Sequence, residues 1–206
     1  CMALVKIENI SIQRGGQTVV RNFSATLEPG KITAIIGPNG SGKSSLLGAL
    51  AGDIPISRGS ISFDQKNLHD LSDIEQSQIR SVVQQSRNYW LSYTAREVIE
   101  MGQNEESLLQ VEAVMQALEI DRYANQKVTT LSGGEAQRIE IARALIRNSD
   151  LFLFDEPLSA QDIGSKIRII DYLKKLSKQG KTVLVIAHID KDSLMWCDQI
   201  IDTLAQ

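Results

Sequence analysis

Gly37-Pro38-Asn39-Gly40-Ser41-Gly42-Lys43-Ser44 is the stretch on which the reading of the fold turns. It fits the pattern G-x-x-x-x-G-K-[ST], a loop whose backbone N–H groups cradle phosphate. Its flanks fit too. Lys31-Ile32-Thr33-Ala34-Ile35-Ile36 is a β-branched apolar run and reads as a buried strand. Ser44-Ser45-Leu46-Leu47-Gly48-Ala49-Leu50 reads as a helix leaving the loop. A strand, a glycine loop and a helix N-terminus set a row of N–H donors around one point, with the positive end of the helix dipole behind them. Gly37, Gly40 and Gly42 allow backbone conformations and a close approach that a side chain would block. Lys43 offers a point charge to β- and γ-phosphates, and Ser44 a hydroxyl to Mg²⁺. The alternative is an ordinary glycine-rich turn, and the strand before it and the helix after it argue against that.

Composition bounds the rest. The 206 residues suffice for one well-buried domain or two small lobes. With 42% hydrophobic and 23% charged residues, the balance is that of an ordinary soluble chain. A net charge of −3 argues against a nucleic-acid partner, which calls for a basic surplus. No apolar run approaches a membrane span and no signal peptide is visible, so a cytosolic chain is expected, one that meets a membrane only by docking on a membrane protein. Cys1 and Cys197 have no metal-ligand spacing and make no disulfide framework, and Cys1 ahead of Met2 reads as a cloning remnant.

Along the chain, Ala3 to Ile12 alternates as an antiparallel strand, Arg14-Gly15-Gly16-Gln17 signals a turn, and Thr18 to Leu27 is a second strand. Beyond the phosphate loop, Gly52 to Gly59 reads as a loop, Ser60 to Phe63 and Ser81 to Val83 as short strands, and Asp73 to Ile79 as a helix. Thr94 to Met101 and Glu105 to Leu118 are expected helices, the second with Leu108, Val111, Val114, Met115 and Leu118 on one face. Together they predict a helical lobe inserted in an α/β pattern. Leu151 to Phe154 and Thr182 to Ala187 read as buried parallel strands. Between them, Ile163, Ile167, Ile170 and Leu173 mark the expected inner face of a helix. Asp190 to Cys197 is expected to be a short helix and Gln199 to Leu204 a last strand.

Two further stretches carry chemistry. Asp155-Glu156-Pro157 closes the Leu151 strand. In phosphate-loop enzymes the aspartate at this point holds Mg²⁺ through water, and a carboxylate beside it can activate the attacking water. Alone, such a pair is more often a helix cap or a solvated turn. Leu131-Ser132-Gly133-Gly134-Glu135-Ala136-Gln137-Arg138 puts two glycines and a hydroxyl at the start of a helix running to Arg147, a second anion-binding end. Ser-Gly-Gly alone would be read as an ordinary N-capped helix.

Taken together, these residues resemble the ATP-binding subunit of ABC transporters, over essentially the whole chain. The resemblance rests on a Walker A loop at Gly37 to Ser44, a Q-loop glutamine at Gln85, the family signature at Leu131 to Gln137, and a Walker B strand with Asp155 and Glu156. It continues through a D-loop at Ser159-Ala160-Gln161-Asp162 and a switch histidine at His188. Gln85 is preferred to Gln84 because Thr94-Ala95-Arg96-Glu97-Val98 then falls at the distance seen in relatives. The resemblance implies a P-loop NTPase of α/β class, with a mostly parallel core sheet, an N-terminal antiparallel β subdomain and an inserted α-helical subdomain. It implies one domain over 1–206, with 1–84 and 150–206 as the core and about 85–149 as the Q-loop, helical subdomain and signature helix.

It also implies roles. ATP would be held by Gly37, Pro38, Asn39, Gly40, Ser41, Gly42, Lys43, Ser44 and Ser45, and Mg²⁺ by Ser44, Gln85 and Asp155. Glu156 would be the general base, with His188 and Gln85 beside it. Two copies, as a homodimer or pseudo-dimer, would sandwich two ATP molecules. Each would lie between one subunit's Walker A loop and the other's Leu131, Ser132, Gly133, Gly134 and Glu135, with Ser159 and Asp162 of the D-loop at the contact. The helical lobe and the Arg87 to Tyr93 loop would dock on a transmembrane permease, placing the chain in the cytoplasm on the inner face of the cell membrane. No nucleic acid is expected.

The sequence departs from the family pattern in places. Arg14 stands where relatives carry an aromatic residue that stacks on adenine, and a guanidinium can also stack on a π-face. Gln161 replaces a more usual Leu. Since the chain stops soon after His188, little room for a regulatory C-terminal extension is expected. His69-Asp70-Leu71-Ser72, Gln84-Gln85 and the Thr94 to Gly102 stretch look like importers of metal chelates such as siderophores, heme or cobalamin. The alternatives are a small heme-exporter-type ATPase and a soluble ABC ATPase of the kind that acts in iron–sulfur assembly.

Overall fold

The computed structural model describes residues 4–84, 90, 92–188 and 191–203. In chain order, β1 (Val5–Arg14) and β2 (Gln17–Leu27) form a hairpin, and β3 (Ile32–Ile36) leads into α1 (Lys43–Leu50). β4 (Arg58–Phe63) and β5 (Lys66–Asn67) precede α2 (Asp73–Ile79) and β6 (Arg80–Val83). Then come α3 (Ala95–Glu100), α4 (Glu105–Leu108), α5 (Val111–Ala117) and α6 (Gly133–Leu145). The chain closes with β7 (Leu151–Asp155), α7 (Ile163–Lys178), β8 (Thr182–Ala187) and β9 (Gln199–Asp202). It divides into two compact units. The first holds the residues up to Val82, Ser149–Glu156 and those from Leu173 on; the second holds Val83–Asn148 and Pro157–Tyr172.

The first unit carries two sheets. One is antiparallel, in the order β2-β1-β4-β5, and the other runs β6-β7-β8-β3-β9. In the second sheet β3 pairs parallel with β8 and β9, and β7 pairs parallel with β8. The β1–β2 turn is Gly15-Gly16, both at positive φ (57° and 77°), the backbone of a two-residue hairpin whose twist matches its strands. β3, β7 and β8 are buried along their whole length, which is why they read as unbroken apolar runs. Leu46, Leu47 and Leu50 of α1 join Leu151, Leu153, Leu184 and Ile186 of the parallel sheet and Ile7, Ile10, Phe23 and Leu27 of the antiparallel one in a single core. Side chains alternate along β7, so Phe152 and Phe154 share the other face, their rings stacked with centroids 6.3 Å apart.

The second unit is helical. Thr94 caps α3 reciprocally with Glu97, and Ala95, Val98 and Ile99 are its buried side. Val111, Val114 and Met115 of α5 and Ile139, Ala142 and Leu145 of α6 are buried in the same unit.

Four expectations are corrected. The strand expected over Ala3 to Ile12 runs two residues further, to Arg14, because it keeps pairing with β2 up to the Gly-Gly turn. The helix expected from Glu105 to Leu118 is two helices. The N–H groups of Leu109 and Gln110 bond back only three residues, to Glu106 and Ser107, which tightens and breaks the helix. Leu108 is consequently exposed, outside the buried face that Val111 begins. On α7, Ile163 and Ile167 face outward, 77% and 54% exposed, while Ser165, Ile169, Leu173 and Leu176 are buried. The reason is polar: Arg138 Nη1 donates to Ser165 Oγ at 2.8 Å, turning the serine inward. The helix expected from Asp190 to Cys197 is, over Lys191–Leu194, a single 3₁₀ turn. Among the described residues, no helix is long and apolar enough to cross a membrane.

Candidate functional site

Strand order brings the site together. β8 lies between β7 and β3, so their carboxyl ends are neighbours, with Ile36 beside Ala187 and Asp155 beside Ile186. The Gly37–Gly42 loop, Glu156 and His188 leave the sheet from those ends. This is the edge at which open α/β sheets bind ligands.

The loop is built around two close approaches. A Cβ on Gly37 would lie 2.0 Å from Thr203 Oγ1 and 2.7 Å from Ser41 Oγ. One on Gly42 would lie 2.5 Å from the Val19 carbonyl oxygen and 2.7 Å from Val20 Cγ2, and Gly42 also has φ of 87°. Gly42 caps α1 without a side-chain hydrogen bond, so the first N–H groups of that helix have no side-chain acceptor at the cap. The Oγ of Ser41, within the same loop, is buried with no hydrogen-bond partner. Uncapped donors, an unsatisfied hydroxyl and a cation at one point fit a phosphate chain. Pro38, Asn39 and Gly40 are exposed at the loop's tip, and Ser45 is half-buried on α1.

Lys43 is only 4% exposed. Its ammonium donates to the carbonyl oxygens of Gly37 and Pro38 (the latter at 3.3 Å) and lies 2.9 Å from Nδ1 of His188. Burial holds the lysine below its ordinary pKa, and the Asp155 carboxylate opposes that shift. An ammonium can only donate, so Nδ1 accepts and the imidazole proton sits on Nε2, which pairs with Oε1 of Glu156. One histidine thus joins the phosphate-loop lysine to the carboxylate after β7. Glu156 is 9% exposed, donates its N–H to Ile186 at 2.9 Å, and has φ of 51°, a conformation costly for a residue with a side chain. The hydroxyl of Ser44 donates to Asp155 Oδ2 at 3.1 Å. Burial raises the Asp155 pKa, against the pull of Ser44, His188 and Lys43. A hydroxyl and a buried carboxylate in contact form an oxygen pair of the kind Mg²⁺ prefers.

The other predicted motifs gather in the second unit. Ser132 caps α6 reciprocally: its Oγ accepts from Glu135 N–H at 3.2 Å, and Glu135 Oε1 accepts from Ser132 N–H at 3.0 Å. Glu135, expected among the ligand contacts, is engaged in its own helix cap, and the N–H of Ser132 holds its carboxyl below the usual range. Ser132 and Gly133 are exposed, Leu131 and Gly134 partly so. Ser159 is exposed, and Asp162 caps α7 by accepting from Ser165 N–H at 2.8 Å. Ser132, Gly134, Gln161 and Asp162 line a cavity of about 420 Å³ together with Arg138 and Arg168.

Gln85, and the expected docking loop apart from Trp90, Ser92 and Tyr93, lie outside the described residues. Arg14 is exposed as the last residue of β1, opposite Gln17. Sequence reasoning missed two residues. Thr203 abuts Gly37 and is spatially adjacent only because β9 pairs with β3. Gln161 is 9% exposed and bonded to the signature helix, and its one signal in the sequence was its departure from the usual Leu.

A family model described as ABC transporter matches residues 20–159. The hemin import ATP-binding protein HmuV of Pseudomonas aeruginosa is 31% identical over 209 residues, covering 96% of this chain and 82% of that protein. HmuV of Agrobacterium fabrum is 32% identical over 211 residues, covering 96% and 81%. Among solved structures, an ATP-binding cassette of an ABC transporter in its ADP conformation superposes with a TM-score of 0.82 at 25% identity, covering 98% of this chain and 89% of that one.

Proposed function

Because the chain belongs to the ABC transporter family, as one of its ATP-binding, ATP-hydrolysing subunits, we propose that it powers a membrane permease importing a metal chelate of the hemin type. The observation that carries the catalytic reading is the convergence of Lys43, Ser44, Asp155, Glu156 and His188 at three adjacent strand ends. Similarity to hemin import proteins favours import over the heme-exporter and iron–sulfur alternatives.

Each residue has a task its environment suits. The loop N–H groups and Lys43 bind and orient the phosphates of ATP. Lys43 is already desolvated, so its charge acts in a low dielectric, where electrostatic stabilisation is strongest. Ser44 and Asp155, with Gln85, would hold Mg²⁺, which supplies charge neutralisation to the phosphate oxygens. Glu156 takes the proton of the attacking water as general base. His188 orients that carboxylate through Nε2–H and turns towards the terminal phosphate. Pro38, Asn39 and Ser45 complete the cradle, and Arg14 stacks on the base. Ser132, Gly133 and Gly134 act on the ATP held by a second copy, with Ser159 and Asp162 at the contact, so the catalytic state is a homodimer or pseudo-dimer. The chain works on the inner face of the cell membrane.

The test is to isolate the tagged chain from membranes of its native host. Recovery of a permease, with ATP turnover raised by a chelate-loaded binding component, is expected. Recovery of a soluble partner alone, with no membrane protein, would overturn the importer reading.

A further inference from the structure

Gln161 lies between Ala160 and the α7 cap Asp162, yet its side chain is nearly as buried as the core. Its Nε2 donates to the carbonyl oxygen of Gly134 at 3.0 Å and to Oε1 of Gln137 at 2.7 Å. The first contact fixes the amide's orientation, because a backbone carbonyl only accepts. Both acceptors belong to the first turns of α6, the helix whose N-terminal end carries Ser132, Gly133 and Gly134. A second, independent contact joins the same two segments: a Cβ on Gly134 would lie 2.6 Å from the Ala160 carbonyl oxygen, so loop backbone packs directly on the glycine. A leucine at 161 would fill the space and supply neither bond, leaving the Gly134 carbonyl without its second donor.

We infer that Gln161 is a positioning residue that clamps the 159–162 loop to the signature end of α6, so that Ser132–Gly134 and Ser159–Asp162 are presented to a partner copy as one rigid surface. The inference rests on the reading of Ser132–Gly134 as acting on ATP bound by a second copy. Among the described residues, the bonds of the clamp reach no nucleotide-binding residue of its own subunit, so it acts on the assembled catalytic state rather than on ATP capture.

The experiment compares wild type with Gln161→Leu, measuring ATP affinity by calorimetry, kcat by phosphate release, and thermal stability. The expected result is an affinity within about twofold of wild type and a kcat about five- to thirtyfold lower, the equivalent of one to two neutral hydrogen bonds. Gln161→Glu, which sets an acceptor against the Gly134 carbonyl, should lose more. Gln137→Leu should lower kcat as well, and the double variant should fall little below Gln161→Leu, because both remove one shared bond. Gln161→Met serves the same comparison if the leucine variant does not fold. A kcat within twofold of wild type overturns the inference. So does a parallel fall in stability, affinity and kcat, which would mark Gln161 as merely structural. Absence of wild-type turnover with ATP binding intact instead sinks the reading of Ser132–Gly134 as acting on a second copy's ATP, on which the inference rests.

Discussion

Replacing Lys43 by methionine keeps an unbranched stem one atom shorter and removes the ammonium with its charge. Its ammonium is buried against two loop carbonyls and His188, and burial already disfavours its charged form. Loss of the charge therefore removes a desolvation cost along with three contacts, and the ligand-free protein should change little in stability. ATP binding should change greatly. A charge-assisted hydrogen bond is worth about 1.5–3 kcal/mol, so losing the lysine's hold on the phosphates at about 3 kcal/mol lowers affinity roughly 100-fold. Thermal shift makes the contrast visible. At ATP near 100 times the wild-type Kd, binding stabilises the native state by about 2.7 kcal/mol, and the same ATP stabilises the variant by only about 0.4 kcal/mol. For a chain of this size about 1 kcal/mol moves Tm by roughly 2–4 °C. Wild type should then gain roughly 5–10 °C and Lys43→Met about 1 °C. Equal ATP-induced shifts in the two proteins would refute the assignment of Lys43 to the phosphates.

Gly42→Ala meets both a positive φ and the Val19 carbonyl, whereas Gly40→Ala meets the φ cost alone, with nothing near its Cβ. Gly42→Ala should therefore lose clearly more stability in denaturant melts and most ATP binding, and equal losses would contradict the close-approach argument. Burial raises the folded pKa of Asp155 above its unfolded value, so its ionised form is disfavoured in the native state and stability falls as pH rises through the carboxylate range to the folded pKa. Asp155→Asn should be as stable as the ligand-free wild type or more so above that range, lose that pH dependence, and lose Mg²⁺-dependent hydrolysis. A lower Tm at neutral pH would show that Asp155 is held by favourable partners rather than penalised by burial. Arg14→Ala should weaken ATP about fivefold, one exposed stacking contact of about 1 kcal/mol, and leave a triphosphate without a base unaffected; equal weakening of both ligands would rule out stacking.

What could be read from the sequence was whatever is local or strongly periodic. The phosphate loop, the three wholly buried strands whose ends carry its chemistry and the capped helix starts carry their signal within a few residues. The parallel strands were legible because both their faces are covered, which writes an unbroken apolar run. The face of α7 was misread for a physical reason. Two stripes compete there, and the isoleucine-rich one lost to a stripe containing Ser165, whose burial depends on Arg138, 27 residues away. The break at Leu109 left no glycine or proline as a marker. Thr203 and the Lys43–His188–Glu156 chain depend on strand order, which no single stretch encodes. Gln161 stood out as unusual, but the two acceptors that explain it lie on another helix.

The most direct test of the central claim, that this chain hydrolyses ATP with Glu156 as general base, is phosphate release by wild type and Glu156→Gln at saturating ATP and Mg²⁺, with ATP affinity measured on both. Steady turnover by wild type and a loss of about 10²–10⁴-fold in the variant are expected, with affinity preserved and an ATP-bound dimer accumulating. Turnover by Glu156→Gln at the wild-type rate would contradict it.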